Sequence, residues 1–121
     1  MRRGALHWAQ LDKRRPALVV SPTRRNLLAS DVIVVPVSGV LRPMVWHVRL
    51  KRGEGGLARE SMAKCEQVTT IPRHAIEPTP LGAPLSEDRM REIGRAIQSA
   101  VGIVLPEPEE APTAPTGARG R

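Results

Sequence analysis

The chain has 121 residues, two Trp, no Tyr and no Phe, and 19 Lys and Arg against 12 Asp and Glu give it a formal net charge of +7. The longest apolar run, residues 32–37, is far shorter than the ~20 residues that a membrane-spanning helix needs, and a single cysteine cannot form an internal disulfide or a thiolate cluster. The charge favours an anionic partner such as nucleic acid, but without Phe or Tyr the chain lacks the usual platform on which single-stranded bases stack.

The first part of the chain predicts two short strands on either side of a basic turn. Residues 5–11 form the first strand and residues 16–21 the second. Pro16 fixes its own φ and pushes Arg15 towards an extended conformation, which suits the start of a strand.

The third predicted strand, Asp31–Ser38, is apolar on both faces. Such a strand is expected to be covered on both sides. The core covers one side, and a second subunit is one candidate for covering the other. Pro36 cannot donate a hydrogen bond to a neighbouring strand, so we expect this stretch to lie at an edge or a bulge.

Two further strands are predicted in the middle of the chain. Residues 44–51 alternate between apolar and polar side chains, which is typical of a half-buried strand. His47, Arg49 and Lys51 share its polar face. Residues 61–71 predict one more strand, with mixed alternation.

One helix is predicted after the turn-rich residues 72–84. Ser86 is its expected N-cap, and Glu87 and Asp88 lie in the positive first turn. An apolar stripe follows at spacings of three, four and four residues: Met90, Ile93, Ile97 and Val101. About five short strands followed by one helix predict a mainly β fold, a small barrel-like sheet with a C-terminal helix packed on it.

The composition changes after Leu105. Residues 106–121 hold no large apolar side chain, and with two basic and three acidic residues they carry a charge of −1. Such a segment cannot bury enough surface to offset its ordering entropy, so we expect a disordered tail. The folded domain is then residues 1–105, with a charge of +8.

Several kinds of site are not indicated by the sequence. The three histidines lie on different predicted elements at no metal-ligand spacing, so we expect no metal and no cofactor: His7, His47 and His74. Cys65 is expected to be a small buried apolar residue. The basic start of the chain lacks the apolar segment of a signal peptide, which favours a cytoplasmic protein without a membrane partner.

The strongest local signal is a basic run that adjoins an apolar strand, Lys13-Arg14-Arg15-Pro16. One interpretation is a solvated hairpin turn. The other is that Pro16 holds one arginine rigidly, so that its guanidinium can stabilise charge on a phosphoryl group. The hydroxyl of Ser38, at the end of the third strand, lies near that arginine if the two strands pair.

The order and spacing of several segments together resemble the MazF/PemK family of toxin ribonucleases from bacterial toxin–antitoxin systems. The matching segments are Arg3-Gly4 before a Trp-containing strand, residues 15–21, residues 32–38, residues 47–50, Gly56-Leu57, residues 59–61, residues 65–71 and the helix after Leu85-Ser86.

This resemblance implies an SH3-like small barrel with a C-terminal helix (MazF/PemK/CcdB-like) that acts as a homodimer. It also implies metal-independent cleavage of single-stranded RNA by the ribose 2′-hydroxyl, giving 2′,3′-cyclic phosphate and 5′-hydroxyl ends, and neutralisation by a cognate antitoxin. The family's catalytic arginine corresponds to Arg15 and its catalytic threonine to Ser38, which keeps the hydroxyl. Lys13, Arg14 and His47 are then expected to contact RNA.

The sequence leaves two alternative functions open. Relatives with the same barrel include toxins that inhibit DNA gyrase by protein contact without catalysis. The chain could also be an inactive member that binds its antitoxin only. The second alternative rests on the short loop before Arg15, since just three residues, 12–14, separate Leu11 from Arg15. Most of the family has a longer loop there that helps to hold RNA.

Overall fold

A computed structural model of the protein describes residues 1–104. The predicted tail, residues 106–121, lies outside the described residues. Within residues 1–104 there are seven strands and two α-helices: β1 (Leu6–Gln10), β2 (Arg14–Val19), α1 (Thr23–Leu28), β3 (Asp31–Ser38), β4 (His47–Leu50), β5 (Ser61–Lys64), β6 (Thr69–Pro72), β7 (Ile76–Pro80) and α2 (Glu87–Ala100).

The strands form one antiparallel sheet in the order β4-β5-β3-β2-β1-β7, and β6 also pairs with β3. The predicted mainly β fold with a C-terminal helix is therefore confirmed. In the described part of the chain the ladder does not close on itself, since β4 and β7 each have one neighbour. No helix among the described residues has the length and apolar character that crossing a bilayer requires.

Strand β3 has the predicted bounds, and the chain itself covers both of its faces. Val35 and Val37 pack into a core that includes α2. Val32 and Val34 pack into a second core on the other face, with residues of β1, β2, β6 and β7. A second subunit is therefore not needed to cover this strand. This corrects the suggestion, drawn from its two-sided apolar pattern, that a second subunit covers one of its faces.

Pro36 lies at a change of partner, not at an edge of the sheet. β3 is an interior strand that pairs with β2 on one side, where Pro36 lies opposite Ala17. On its other side it pairs with β6 as far as Val34 and with β5 from Val37 onwards. The missing N–H of Pro36 thus falls in the gap between two ladders, where no donor is required.

Strand β2 covers Arg14–Val19 and not the predicted residues 16–21, and three further stretches also differ from their predictions. Residues 61–71 form two strands, because a 3₁₀ turn at Cys65–Gln67 separates β5 from β6. Residues 44–46 precede β4 and lie in a loop, where Val45 is 70% exposed. The turn-rich stretch after residue 72 contains β7, whose two prolines argue against a strand; as an edge strand, β7 tolerates them.

Helix α2 begins as predicted. The hydroxyl of Ser86 accepts a hydrogen bond from the backbone N–H of Arg89, at 3.1 Å. Met90 and Ile93 are buried in the core beneath the sheet. Val101, the last residue of the predicted stripe, follows the helix and is exposed. The other helix, α1, has only six residues and no side-chain cap, so no periodic pattern announces it.

Candidate active site

The β1–β2 hairpin separates the two neighbouring arginines of the basic run. Its register pairs Ala9 with Arg15 and Gln10 with Arg14. Since side chains alternate between the two faces of a strand, Arg15 shares a face with Ala9 and Ala17, and Arg14 lies on the opposite face.

Arg15 is held in a fixed orientation by the carboxylate of Asp12. Its Nε donates to Oδ1 at 3.0 Å and its Nη2 to Oδ2 at 2.9 Å. Such a two-point pair restrains both the position and the plane of the guanidinium. The side chain of Arg15 is 17% exposed, whereas that of Asp12 is 72% exposed. The guanidinium of Arg15 is therefore largely enclosed, whereas the carboxylate of Asp12 is accessible to solvent.

Asp12 is ionised at neutral pH. Partial desolvation raises its pKa, but the hydrogen bonds and positive charge of Arg15 outweigh this effect and hold the pKa below its ordinary value. The ion pair is consequently intact across the physiological pH range.

Ser38 ends β3 on the same face of the sheet as Arg15. Strands β2 and β3 do pair, and Ala17 lies opposite Pro36. Arg15 lies two residues before Ala17, and Ser38 lies two residues after Pro36. Because the strands are antiparallel, these are the next positions on the same face. Ser38 is only 8% exposed, and its Oγ accepts a hydrogen bond from the backbone N–H of Val40 at 3.1 Å. Its own hydroxyl proton remains available for a ligand.

Arg59 is a further candidate, which the sequence did not single out. Its guanidinium lies directly on Gly39, the residue after Ser38: a Cβ built on Gly39 would come within 2.7 Å of Arg59 Cζ. Arg59 is exposed, and within residues 1–104 its side chain has no ion-pair partner. An exposed arginine in a loop belongs to no periodic pattern, and only the fold brings it beside Ser38.

Arg14, a predicted RNA contact, is engaged on the other face of the hairpin. Its guanidinium lies 4.3 Å from the ring centroid of Trp8. It also donates to both carboxylate oxygens of Glu77, at 2.8 and 3.1 Å. The structure therefore does not bring Arg14 together with Arg15. Lys13, by contrast, is exposed in the turn between β1 and β2.

His47, another predicted RNA contact, is enclosed. Its side chain is 2% exposed. Nδ1 lies 2.7 Å from the backbone oxygen of Arg42, and Nε2 lies 3.1 Å from Oε1 of Glu66. Both ring nitrogens thus have protein partners, and the imidazole would have to move before it could contact a ligand.

Cys65 is the remaining candidate for a catalytic nucleophile, and its burial keeps it unreactive. Cys65 is fully buried, as predicted, and desolvation raises the pKa of its thiol to about 12, so it stays protonated at neutral pH. No three His, Cys, Asp or Glu side chains gather among residues 1–104 in a way that could hold a metal ion.

The chain is similar to known proteins over most of its length. The family of PemK-like, MazF-like toxins of type II toxin–antitoxin systems matches residues 2–101. No curated protein matches the chain.

Solved structures share the fold. Mycobacterium tuberculosis toxin MazF-mt6 has a TM-score of 0.76 and 26% identity, over 84% of this chain and 99% of that one. An endoribonuclease in complex with its cognate antitoxin, from Mycobacterial species, has a TM-score of 0.75 and 22% identity, over 88% and 99% of the two chains. MazE-MazF from Deinococcus radiodurans has a TM-score of 0.71 and 24% identity, over 86% and 98%.

Proposed function

The chain belongs to the PemK-like, MazF-like toxins of type II toxin–antitoxin systems, and we propose that it is a metal-independent endoribonuclease that cuts single-stranded RNA at particular sequences. The observation that carries the proposal is the placement of Arg15 and Ser38 on one face of the sheet, at neighbouring strand ends. A cation that is held in place on the same sheet face as a hydroxyl can stabilise the charge of a phosphoryl transition state.

In the proposed reaction the RNA supplies its own nucleophile. The ribose 2′-oxygen attacks the adjacent phosphorus, the new P–O2′ bond closes a 2′,3′-cyclic phosphate, and the P–O5′ bond breaks. The 2′-hydroxyl proton is lost to solvent, and the departing O5′ takes up a proton to become a 5′-hydroxyl. The protein has to hold these three atoms in line and to stabilise the negative charge that builds up on the phosphoryl oxygens.

Arg15 is proposed to stabilise that charge. A guanidinium keeps its proton at any physiological pH, so it acts as a cation and hydrogen-bond donor and not as a base. A guanidinium has five N–H donors, and Asp12 accepts from Nε and from one N–H of Nη2. The N–H groups of Nη1 and the second one of Nη2 are left for phosphoryl oxygens. Asp12 is therefore proposed as a positioning residue that occupies two of the five N–H donors of Arg15 and leaves three for a ligand.

Ser38 and the exposed cations complete the proposed site. The Ser38 hydroxyl can donate to a phosphoryl oxygen or accept from the 2′-hydroxyl. Arg59, which lies on Gly39, and Lys13, in the turn, are proposed to bind flanking phosphates. Contacts from Arg14 and His47 to RNA would require each to leave its present protein partners.

A cognate antitoxin is the proposed protein partner. One similar structure holds an endoribonuclease with its cognate antitoxin, and another holds MazE with MazF. The positive charge of this domain suits an acidic antitoxin segment. We also propose that the toxin acts as a homodimer in the cytoplasm, where RNA substrates are found. Exposed apolar side chains in the loop after Ser38, including Val40 and Val45, are the candidate dimer contact.

The test is cleavage of RNA by purified protein that has been freed of antitoxin, in buffer with EDTA. We expect fragments with 2′,3′-cyclic phosphate and 5′-hydroxyl ends, which resist ligation until they are repaired. DNA of the same sequence lacks the 2′-hydroxyl and should stay intact. Uncut RNA across a broad set of sequences would refute the proposal; gyrase inhibition and antitoxin binding would then be measured as the remaining functions.

A further inference from the structure

The sheet face that carries Arg15 and Ser38 continues across β5 and β4. Ser38 lies opposite Met62 of β5, and Met62 lies opposite Arg49 of β4. Residues that lie directly opposite each other share a face, and side chains alternate along each strand. Lys64, two residues after Met62, therefore belongs to the same face. This face thus extends over four neighbouring strands and carries a cation that the site described above does not include.

Lys64 occupies a diagonal position relative to Ser38. On paired antiparallel strands the Cα atoms of such residues are roughly 7–8 Å apart, which is within reach of long side chains. Arg15 lies on the other side of Ser38, because the register of β2 and β3 pairs Ala17 with Pro36. Ser38 is therefore flanked by one cation on β2 and by a second cation on β5.

The two acidic residues that flank Lys64 along the chain, Glu60 and Glu66, are paired with other side chains. His47 lies opposite Lys64 in the ladder, and its Nε2 is 3.1 Å from Oε1 of Glu66. Nε of Arg49 is 3.2 Å from Oε2 of Glu60. Within residues 1–104 the ammonium of Lys64 has no ion-pair partner and no hydrogen-bond acceptor. Its charge on this face is therefore not balanced by a paired carboxylate.

The ammonium of Lys64 is accessible although the residue as a whole is half-buried. In the described part of the chain, every buried side-chain nitrogen or oxygen atom has a hydrogen-bond partner. Since Nζ of Lys64 has none, it is not among the buried atoms and must reach solvent. A lysine with a packed stem and an accessible charge can bind a phosphate with little rearrangement.

We infer that Lys64 is a further RNA-binding residue of the proposed active site and that its ammonium binds the phosphate next to the one held by Arg15. This inference rests on the proposed function. The RNA backbone then crosses the strands from β2 over Ser38 towards β5. An ammonium binds phosphate as a point charge and reads no base, so Lys64 contributes to affinity and to the placement of the chain, and not to sequence preference.

Protection from acetylation tests the contact without any cleavage. The chain has only three lysines, Lys13, Lys51 and Lys64, so each can be followed by mass spectrometry of the full-length protein after brief treatment with an amine-acetylating reagent. The probe is a single-stranded 2′-fluoro RNA of mixed sequence, which has no 2′-hydroxyl and stays intact. We expect this RNA to slow acetylation of Lys64 and to leave that of Lys51 unchanged.

Variants measure the same contact as an affinity. Lys64→Gln should weaken binding of the 2′-fluoro RNA roughly fivefold and lower the slope of log Kd against log salt by about 0.7, the value for one phosphate contact on a single strand. Lys64→Arg keeps the charge and should keep the slope. Lys51→Gln removes the same charge from an exposed position after β4 and should leave Kd within about twofold of wild type. Equal melting temperatures exclude unfolding as the cause.

Two outcomes would overturn the inference even if the protein cleaves RNA. One is acetylation of Lys64 at an unchanged rate when the 2′-fluoro RNA is bound. The other is an equal loss of affinity in Lys51→Gln and Lys64→Gln, which would indicate a diffuse charge effect. Conversely, a protein that binds this RNA with Lys64 protected but cuts no RNA would support the contact and refute only the proposed cleavage.

Discussion

Asp12 holds Arg15 by two hydrogen bonds, of 3.0 and 2.9 Å, across a turn of only three residues. The shortened turn thus supplies its own carboxylate to orient the guanidinium that we place at the phosphate. Without a longer loop to enclose RNA, this local contact fixes the geometry of the proposed site.

Asp12→Asn tests that positioning role. The amide oxygen can accept one of the two hydrogen bonds but carries no charge, so Arg15 gains freedom to rotate. We expect kcat for RNA cleavage to fall roughly tenfold with little change in KM. Lys13→Gln, in the same turn, is the matched control and should mainly raise KM. Faster cleavage by Asp12→Asn would show instead that the carboxylate competes with phosphate.

Ser38 variants test the hydroxyl. Ser38→Ala should slow cleavage, but by a smaller factor than Arg15→Ala, because a hydrogen bond contributes less than a cation at the developing charge. Ser38→Thr restores the hydroxyl with a stiffer side chain and should keep activity within a few-fold of wild type. Rates under single-turnover conditions compare the three. An equal loss in Ser38→Ala and Arg15→Ala would mean that the hydroxyl has more than an accessory role.

Arg59→Gln tests the residue that only the fold brings to the site. An exposed cation next to Gly39 and Ser38 should bind a flanking phosphate, so we expect KM to rise roughly fivefold and to depend less steeply on salt. Arg49→Gln is the control, since Arg49 is comparably exposed but paired with Glu60 at 3.2 Å. If both substitutions change KM alike, Arg59 has no specific contact.

Glu54→Gln tests an ion pair that joins the loop before β5 to α2. Arg89 donates to both carboxylate oxygens of Glu54, each at 2.8 Å. These hydrogen bonds hold the pKa of Glu54 below its ordinary value, although desolvation opposes them. At pH 7 we expect the substitution to lower the free energy of unfolding by about 1 kcal/mol, as measured by urea denaturation.

The pH dependence of that difference follows from the lowered pKa. A group with a depressed folded pKa contributes stability above its unfolded pKa, and this is lost as the pH falls through the folded value. The gap between wild type and Glu54→Gln should therefore be constant from pH 8 to about pH 5 and shrink below about pH 4. A gap that stays constant down to pH 2 would contradict the assigned pair.

The sequence predicted those parts of the fold that a local pattern specifies. The apolar run of β3 and the cap at Ser86 are examples, because burial and backbone hydrogen bonding leave direct marks on the residues. β7 was missed because Pro78 and Pro80 are acceptable only on an edge strand, and which strand lies at an edge depends on the whole sheet. α1 was missed because six residues are too few for a helical pattern.

The candidate site was likewise predictable from the sequence only in part. Arg15 and Ser38 were singled out from the sequence, and the fold shows that their strands pair. The contact between Asp12 and Arg15 depends on the turn geometry, and the approach of Arg59 to Gly39 depends on tertiary packing. Likewise, nothing in the alternation of residues 44–51 reveals that His47 is enclosed by Glu66 and the Arg42 carbonyl.

The single-turnover rate of RNA cleavage by Arg15→Ala in EDTA tests the proposed catalytic role of Arg15 most directly. Arg24→Ala, which removes the same charge from the exposed surface of α1, serves as the matched control, with melting temperatures measured for both. We expect a rate at least about 1,000-fold below wild type for Arg15→Ala, with the fold intact and the cleavage rate of Arg24→Ala unchanged. Cleavage by folded Arg15→Ala at the wild-type rate would contradict that role.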